Sequence, residues 1–331
     1  MGQCVGASEQ HQSSRWFGSR EARATPSARN PRSAAGGPTL KEKTQQLIGE
    51  GRFAYVLLEE ARQHVPETEC PAAWRALDEA MALVPAGPAP IVRADGQIEL
   101  VELDGYYLDR DAVTNRRFQK FVDAGGYDEF ELWPQEVWPS LMRFVGKDGK
   151  PGPAGWNGSK FPKDKADHPV VGVCWYEALA YARWVGLRLP TASEWQKAAG
   201  WPEPLGGMTH RYPWGELFDP TRANLWASGL GTTAPVRSFP QGDTPNGIHQ
   251  LTGNVWEWLD DPLELVPNLN DEEYFEPWRP MRRLHGGAFD TYLPTEATTH
   301  FITGQSELDR RANIGFRCAL TLAKLRPRTR T

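Results

Sequence analysis

The chain has 331 residues, enough for one large domain or for one domain and a small appendage, and its 40% hydrophobic and 24% charged content is that of a soluble globular protein. A formal net charge of -5 gives no basis for nucleic acid or an anionic membrane as the main partner. The 14 Trp, beside 32 Gly and 28 Pro, favour long ordered loops held by large buried rings over a helical bundle.

Residues 1–38 are rich in Ser, Ala, Gly and Arg, with Arg15, Arg20, Arg23, Arg29 and Arg32 set against only Glu9 and Glu21, and read as a disordered solvated tail. The opening Met-Gly-Gln-Cys has Gly6 where a myristoylation signal wants Ser or Thr. There is no hydrophobic core of a signal peptide and no apolar run long enough to span a bilayer, so a cytoplasmic protein is expected.

Residues 39–80 read as helical, with one apolar set from Leu40, Leu47, Ile48, Phe53, Val56, Leu57 and Leu58 and a second from Trp74, Leu77 and Met81 after the breaks at Pro66 and Pro71. The segment is too short for a secure core of its own, and docking on the main domain or on a partner is expected. The main domain is read over 81–323. Val101 to Leu108 alternates as a strand would. Thr114 caps a helix whose apolar face is Phe118, Phe121 and Val122, closed by Gly125-Gly126. A second helix runs from about Trp175 to Trp184, and Thr191 with Glu194 forms a capping box that opens a third. Loops and short strands follow Gly200, and 324–331 is read as a basic tail. The cysteines Cys4, Cys70, Cys174 and Cys318 form no CxxC pair and no secreted disulfide framework.

Several segments, in order, carry a family resemblance. His168-Pro169-Val170-Val171-Gly172-Val173-Cys174-Trp175-Tyr176-Glu177-Ala178 is similar to HPV-x-x-VSW-x-(D/E)A. Arg188-Leu189-Pro190-Thr191 with Glu194-Trp195 and Ala198-Ala199 matches RLPT-x-x-EWE-x-AAR. Tyr212-Pro213-Trp214-Gly215, Ala223-Asn224-Leu225, Gly253-Asn254-Val255-Trp256-Glu257-Trp258, Gly286-Gly287 and Gly315-Phe316-Arg317-Cys318 complete the set. Together they resemble the formylglycine-generating enzyme, or sulfatase-modifying factor, family. The resemblance implies an α+β, C-type-lectin-like fold, loop-rich with little regular secondary structure. Trp195, Trp214, Trp256 and Trp258 read as core anchors. Arg188 and Arg317 are expected to satisfy buried carboxylates or carbonyls.

The resemblance also implies two cysteine thiolates shortly after the GG dipeptide that hold Cu(I), with which the family uses oxygen to oxidise a sulfatase cysteine to formylglycine. Those positions fall at Thr291 and Glu296, and the stretch from Ala288 to Ile314 contains no cysteine. Copper is therefore not expected, and Cys318 reads as a buried free thiol. The related sulfoxide synthases carry a three-His iron site with an HxxxHxE-like motif, a spacing that His11, His64, His168, His210, His249, His285 and His300 do not reproduce. His285 and His300 are read as hydrogen-bonded structural residues.

Structural Ca²⁺ is a further implication of the family. One site would use the Gln250 and Glu257 side chains with the carbonyls of Gly253 and Val255. The other would use Asn224, the carbonyls of Leu225 and Leu230, and Ser228 in place of a carboxylate, which weakens it. Without the cysteine pair, the first functional reading is a non-catalytic module that binds a protein or peptide through its C-terminal loop surface: Asp290, Thr291, Tyr292, Glu296, Thr298, His300 and Gln305. The alternative is an oxidoreductase of the formylglycine-generating or non-haem metal type with an altered metal site.

Overall fold

A computed structural model describes residues 38–93, 95–201, 209–263 and 280–328, so all but the last residue of the tail read over 1–38 lies outside the described residues. The chain divides into two compact units, Met1–Asp78 with Lys324–Thr331, and Glu79–Ala323. Residues 324–328, read as part of a basic tail, therefore belong to the first unit. Among the described residues no helix is long and apolar enough to cross a membrane.

In the first unit, helix α1 (Leu40–Glu50) starts at Thr39, whose hydroxyl accepts the Glu42 N–H while the Glu42 side chain takes the Thr39 N–H. Gly51 ends it in the left-handed conformation, φ 84°. The short α2 (Ala54–Leu57) is buried along its whole length, and α3 (Cys70–Ala80) buries Cys70, Ala73 and Leu77. The C-terminal residues join this unit through the Arg326 N–H on the Leu57 carbonyl and a bridge between Leu58 and Leu325.

Among the described residues the second unit holds three small sheets. Strands β1 (Met81–Val84), β4 (Tyr106–Asp109) and β9 (Ala319–Thr321) form an antiparallel sheet with β4 in the centre. Strands β2 (Gly87–Val92) and β3 (Ile98–Leu103) form a hairpin. The third sheet has the order β7-β6-β5-β8, from β5 (Trp256–Pro262), β6 (Met281–His285), β7 (Thr303–Ser306) and β8 (Ile314–Gly315), with only β5 and β8 parallel.

With these sheets go the helices α4 (Asn115–Asp123), α5 (Trp175–Trp184) and α6 (Ala192–Gly200). The expected Thr114 cap and the Thr191–Glu194 capping box are both present. Gly126 is required after α4, because a Cβ there would lie 2.0 Å from the Phe121 ring. Phe118 stacks on Tyr181 at 5.4 Å and Phe316 meets both rings edge-on, so α4, α5 and the GFRC segment share one aromatic core.

The buried carboxylates Glu194 and Glu177 are each paired with an arginine. Arg188 grips both oxygens of Glu194 at 2.6 and 2.7 Å. Glu177, wholly buried, accepts from Arg310, Tyr127 and the Cys174 N–H, which fixes the start of α5. Trp195 and Trp258 are fully buried anchors, as read from sequence. Trp214 and Trp256 are only half-buried, with Trp214 stacked on Tyr212 at 5.1 Å.

Candidate functional site

The segment after β6 is aimed by its two glycines. Gly286 and Gly287 have φ of 100° and 75°, and a Cβ on Gly286 would lie 2.7 Å from the Leu251 carbonyl oxygen. The chain then folds into a tight turn. The Ala288 N–H donates to Thr291 Oγ1 at 2.8 Å, and the Thr291 N–H donates to the Ala288 carbonyl at 2.9 Å. The Thr291 carbonyl accepts the Trp226 N–H at 3.2 Å and so ties this turn to the 226–231 loop.

Between turn and loop lies a cleft of about 420 Å³ lined by Trp226, Ala227, Gly229, Gly231, Phe289 and Asp290. Trp226 and Tyr292 are both exposed and meet edge-to-face at 4.9 Å. The exposed Asp290 carboxylate is oriented by Asn313 Nδ2, which donates to its two oxygens at 3.1 and 3.0 Å. Large rings and one negative charge together suit a small organic cation.

The residues expected on one binding surface are only partly brought together. Asp290, Thr291 and Tyr292 share this turn, and Thr291 is buried and acts through its hydrogen bonds. Glu296 is half-buried in the 3₁₀ turn Pro294–Ala297. Thr298 is buried, its hydroxyl donating to the Thr295 carbonyl, which removes it from any surface. His300 is half-buried, and Gln305 is half-buried on β7 opposite Arg282. The lining residues Trp226, Gly229 and Gly231 escaped the sequence reading. In sequence they offered only a Trp followed by closely spaced glycines, a loop signal that does not point to a cleft; in the fold Gly229 and Gly231 take φ of 73° and 62°.

His285 departs from expectation as well. It is fully buried and stacked on Trp195 at 5.0 Å, and neither ring nitrogen has a hydrogen-bond partner among the described residues. Burial above all, with Arg283 and His300 adding to it, holds its pKa down at about 3, so the ring is neutral.

At the first calcium position, the Glu257 carboxylate accepts Arg317 Nη2 at 2.7 Å on one oxygen, and Arg317 Nε and Trp195 Nε1 at 2.8 Å on the other. Gln250 turns instead to Asn254, accepting its Nδ2 at 3.0 Å. Asn254 Oδ1 in turn accepts Asn224 Nδ2 at 3.1 Å, and Asn224 Oδ1 accepts the Ser228 hydroxyl at 2.8 Å. The side chains of both calcium sets are thus linked through Asn254 into one neutral hydrogen-bonded chain that excludes Glu257. Gly253 and Val255 sit together in a tight turn, the Val255 N–H on the Gly253 carbonyl, and the Leu225 carbonyl accepts the Ser228 N–H while Leu230 is exposed.

The donor set does not fit Cu(I). Thr291 and Glu296 offer oxygen, not sulfur. Cys174 and Cys318 are free and completely buried, and burial pushes both thiols well above their ordinary range. Among the described residues no group of three or more His, Cys, Asp and Glu side chains could hold a metal ion.

The family model of the sulfatase-modifying factor enzyme 1-like domain matches residues 67–322, beginning earlier than the boundary read at 81. The chain belongs to this family, with the α+β, C-type-lectin-like fold that the motifs implied. Hercynine oxygenase of Mycobacterium tuberculosis is 36% identical over 204 residues, which are 57% of this chain and 47% of that protein. Formylglycine-generating enzyme of Mus musculus is 31% identical over 287 residues, 72% of this chain and 74% of that protein. The chain thus spans about half the length of the hercynine oxygenases it matches. Among solved structures, PvdO from Pseudomonas aeruginosa has a TM-score of 0.53 at 21% identity, covering 73% of this chain and 94% of PvdO, a likeness of fold alone.

Proposed function

We propose that this chain is the substrate-binding domain of an oxidoreductase of the formylglycine-generating and hercynine-oxygenase class. The observation that carries this reading is the place of the cleft. Phe289 and Asp290 line it, and Thr291, at the first copper position that the resemblance implies, follows them directly and is pinned to Trp226. A cleft of about 420 Å³ beside the position to which the resemblance assigns the family's chemistry supports a substrate site there with changed donor atoms. The enzymatic names of the relatives support an oxidoreductase over the non-catalytic module first read from sequence.

In this reading Trp226 and Phe289 enclose a small cationic substrate, Asp290 supplies the counter-charge, and the Ala288–Thr291 turn holds Asp290 in position. The test is calorimetric titration of the purified chain with hercynine, the compound in the relatives' name, and with choline as a plain organic cation, followed by oxygen uptake with iron or copper supplied. Failure of both ligands to bind wild type more tightly than Trp226→Ala would remove the cleft from the function.

A second reading rests on a different observation. Leu230, Leu293, Trp226 and Tyr292 are all exposed, which is more apolar surface than a small substrate needs. It fits a protein or peptide partner. Pull-down with wild type and Tyr292→Ala tests it, and equal capture by both would end it.

A further inference from the structure

We infer that Ser228 is a positioning residue for the cleft: its hydroxyl, hung on the buried Asn224 amide, braces the 226–231 loop as a wall of the cleft and does so without a metal ion. The loop supplies Trp226, Ala227, Gly229 and Gly231, four of the six residues that line the cleft. From Trp226 to Thr232 every residue is exposed except Ser228, which is half-buried. With no buried apolar side chain in this stretch, its shape rests on hydrogen bonds.

Two buried asparagines close the neck of the loop. Asn254 Oδ1 accepts the Ala234 N–H at 2.8 Å and Asn254 Nδ2 donates to the Ala234 carbonyl at 3.1 Å, so this amide serves Ala234 as a neighbouring strand would. Asn224 Nδ2 donates to Asn254 Oδ1 at 3.1 Å and to the Thr232 carbonyl at 2.9 Å, which draws the two ends of the loop together. Asn224 Oδ1 accepts the Ser228 hydroxyl at 2.8 Å, and Ser228 Oγ accepts the Leu230 N–H at 3.4 Å. The Ser228 hydroxyl thus ties the tip of the loop to its neck. Beside it the Ser228 N–H donates to the Leu225 carbonyl at 2.9 Å and the Gly229 N–H to the Trp226 carbonyl at 3.1 Å.

The family resemblance puts a calcium carboxylate at Ser228, and the residues present do not fit that ion. Asn224 Oδ1, which the ion would need, already accepts the Ser228 hydroxyl, and neither side chain carries a charge. An ionised carboxylate at this position could only accept, so it would face Asn224 Oδ1 oxygen to oxygen and need a cation between them. A hydroxyl meets the same oxygen directly. The serine therefore makes the shape of the cleft wall a property of the chain itself. The effect on ligand rests on the cation site proposed for this cleft, whereas the brace does not.

The test is peptide-resolved hydrogen exchange of the full chain over residues 225–232, in chelator and in millimolar calcium, with choline titration of the same samples. Wild type should keep the Trp226, Ser228, Gly229 and Leu230 amides protected in chelator, and calcium should change their exchange by less than about twofold. Ser228→Ala should speed that exchange about tenfold, and Ser228→Thr, which keeps the hydroxyl, should stay within about threefold of wild type. Choline affinity should fall about fivefold in Ser228→Ala and return in Ser228→Thr, because a loosened wall must be ordered on binding. Exchange that Ser228→Ala leaves unmoved, or that slows only when calcium is added, overturns the inference. Equal choline affinity in wild type and Ser228→Ala despite faster exchange in the variant overturns the positioning role. Choline that binds neither protein, with exchange still faster in Ser228→Ala, removes the cation site and supports the brace. Should Ser228→Ala fail to fold, wild type decides: protection in chelator supports the brace, and protection only with calcium refutes it.

Discussion

Arg317 and Glu257 form a two-pronged ion pair with no solvent exposure on the Arg317 side chain, Nη2 to Oε1 at 2.7 Å and Nε to Oε2 at 2.8 Å. The same guanidinium reaches the Asp109, Arg110 and His249 carbonyls. One residue therefore joins the end of β4, the loop before β5, and β5 itself. Arg317→Met would leave a buried carboxylate with only the Trp195 indole and take one donor from each of the three carbonyls, of which Arg110 keeps the His249 N–H. A loss of about 3–5 kcal/mol is expected. Thermal unfolding checks it, and a melting temperature within about 2 °C of wild type would contradict the role given to this pair.

The cleft gives a second expectation. Trp226→Ala removes one aromatic wall, and Asp290→Asn removes the charge while keeping a group that Asn313 can still meet. Each should weaken binding of a small organic cation by about tenfold, with melting temperature unchanged for the exposed Trp226. A titration in which Asp290→Asn binds as tightly as wild type would show that the ligand is not a cation.

Much of this was legible in the sequence. The Thr114 cap and the Thr191–Glu194 box are local patterns, and they formed where their spacing put them. Arg317 needed only its setting in an apolar motif to be read as a buried, partnered cation. The cleft was not legible, because it depends on a backbone bond between Trp226 and Thr291, whose separation in sequence leaves no periodicity to read. Arg326 looked like part of a solvated tail because its charge is ordinary for a terminus. Its burial comes from pairing beside Leu57 and Leu58 at the other end of the chain.

The neutral side-chain chain from Gln250 through Asn254 and Asn224 to Ser228 bears on calcium. A hard cation gains most from carboxylates, and the one carboxylate in either set, Glu257, already takes three N–H donors. Adding millimolar calcium to chelator-treated protein should move the melting temperature by less than about 1 °C. A rise of several degrees would mean that Glu257 or the surrounding carbonyls turn toward the ion.

His285 makes stability depend on acid. In the unfolded chain its imidazole takes up a proton near its ordinary pKa of about 6.5, whereas burial in the fold keeps it neutral down to about pH 3. Only the unfolded state gains the proton between those values. The stabilising contribution is thus whole above about pH 6.5 and shrinks as pH falls toward 3. By pH 5 the loss from this one group is about 2 kcal/mol. His285→Phe keeps a flat ring against Trp195 and removes the titration, so its melting temperature should fall less than that of wild type between pH 7 and pH 5. Parallel curves for the two proteins would mean that the buried ring finds a proton partner in solution.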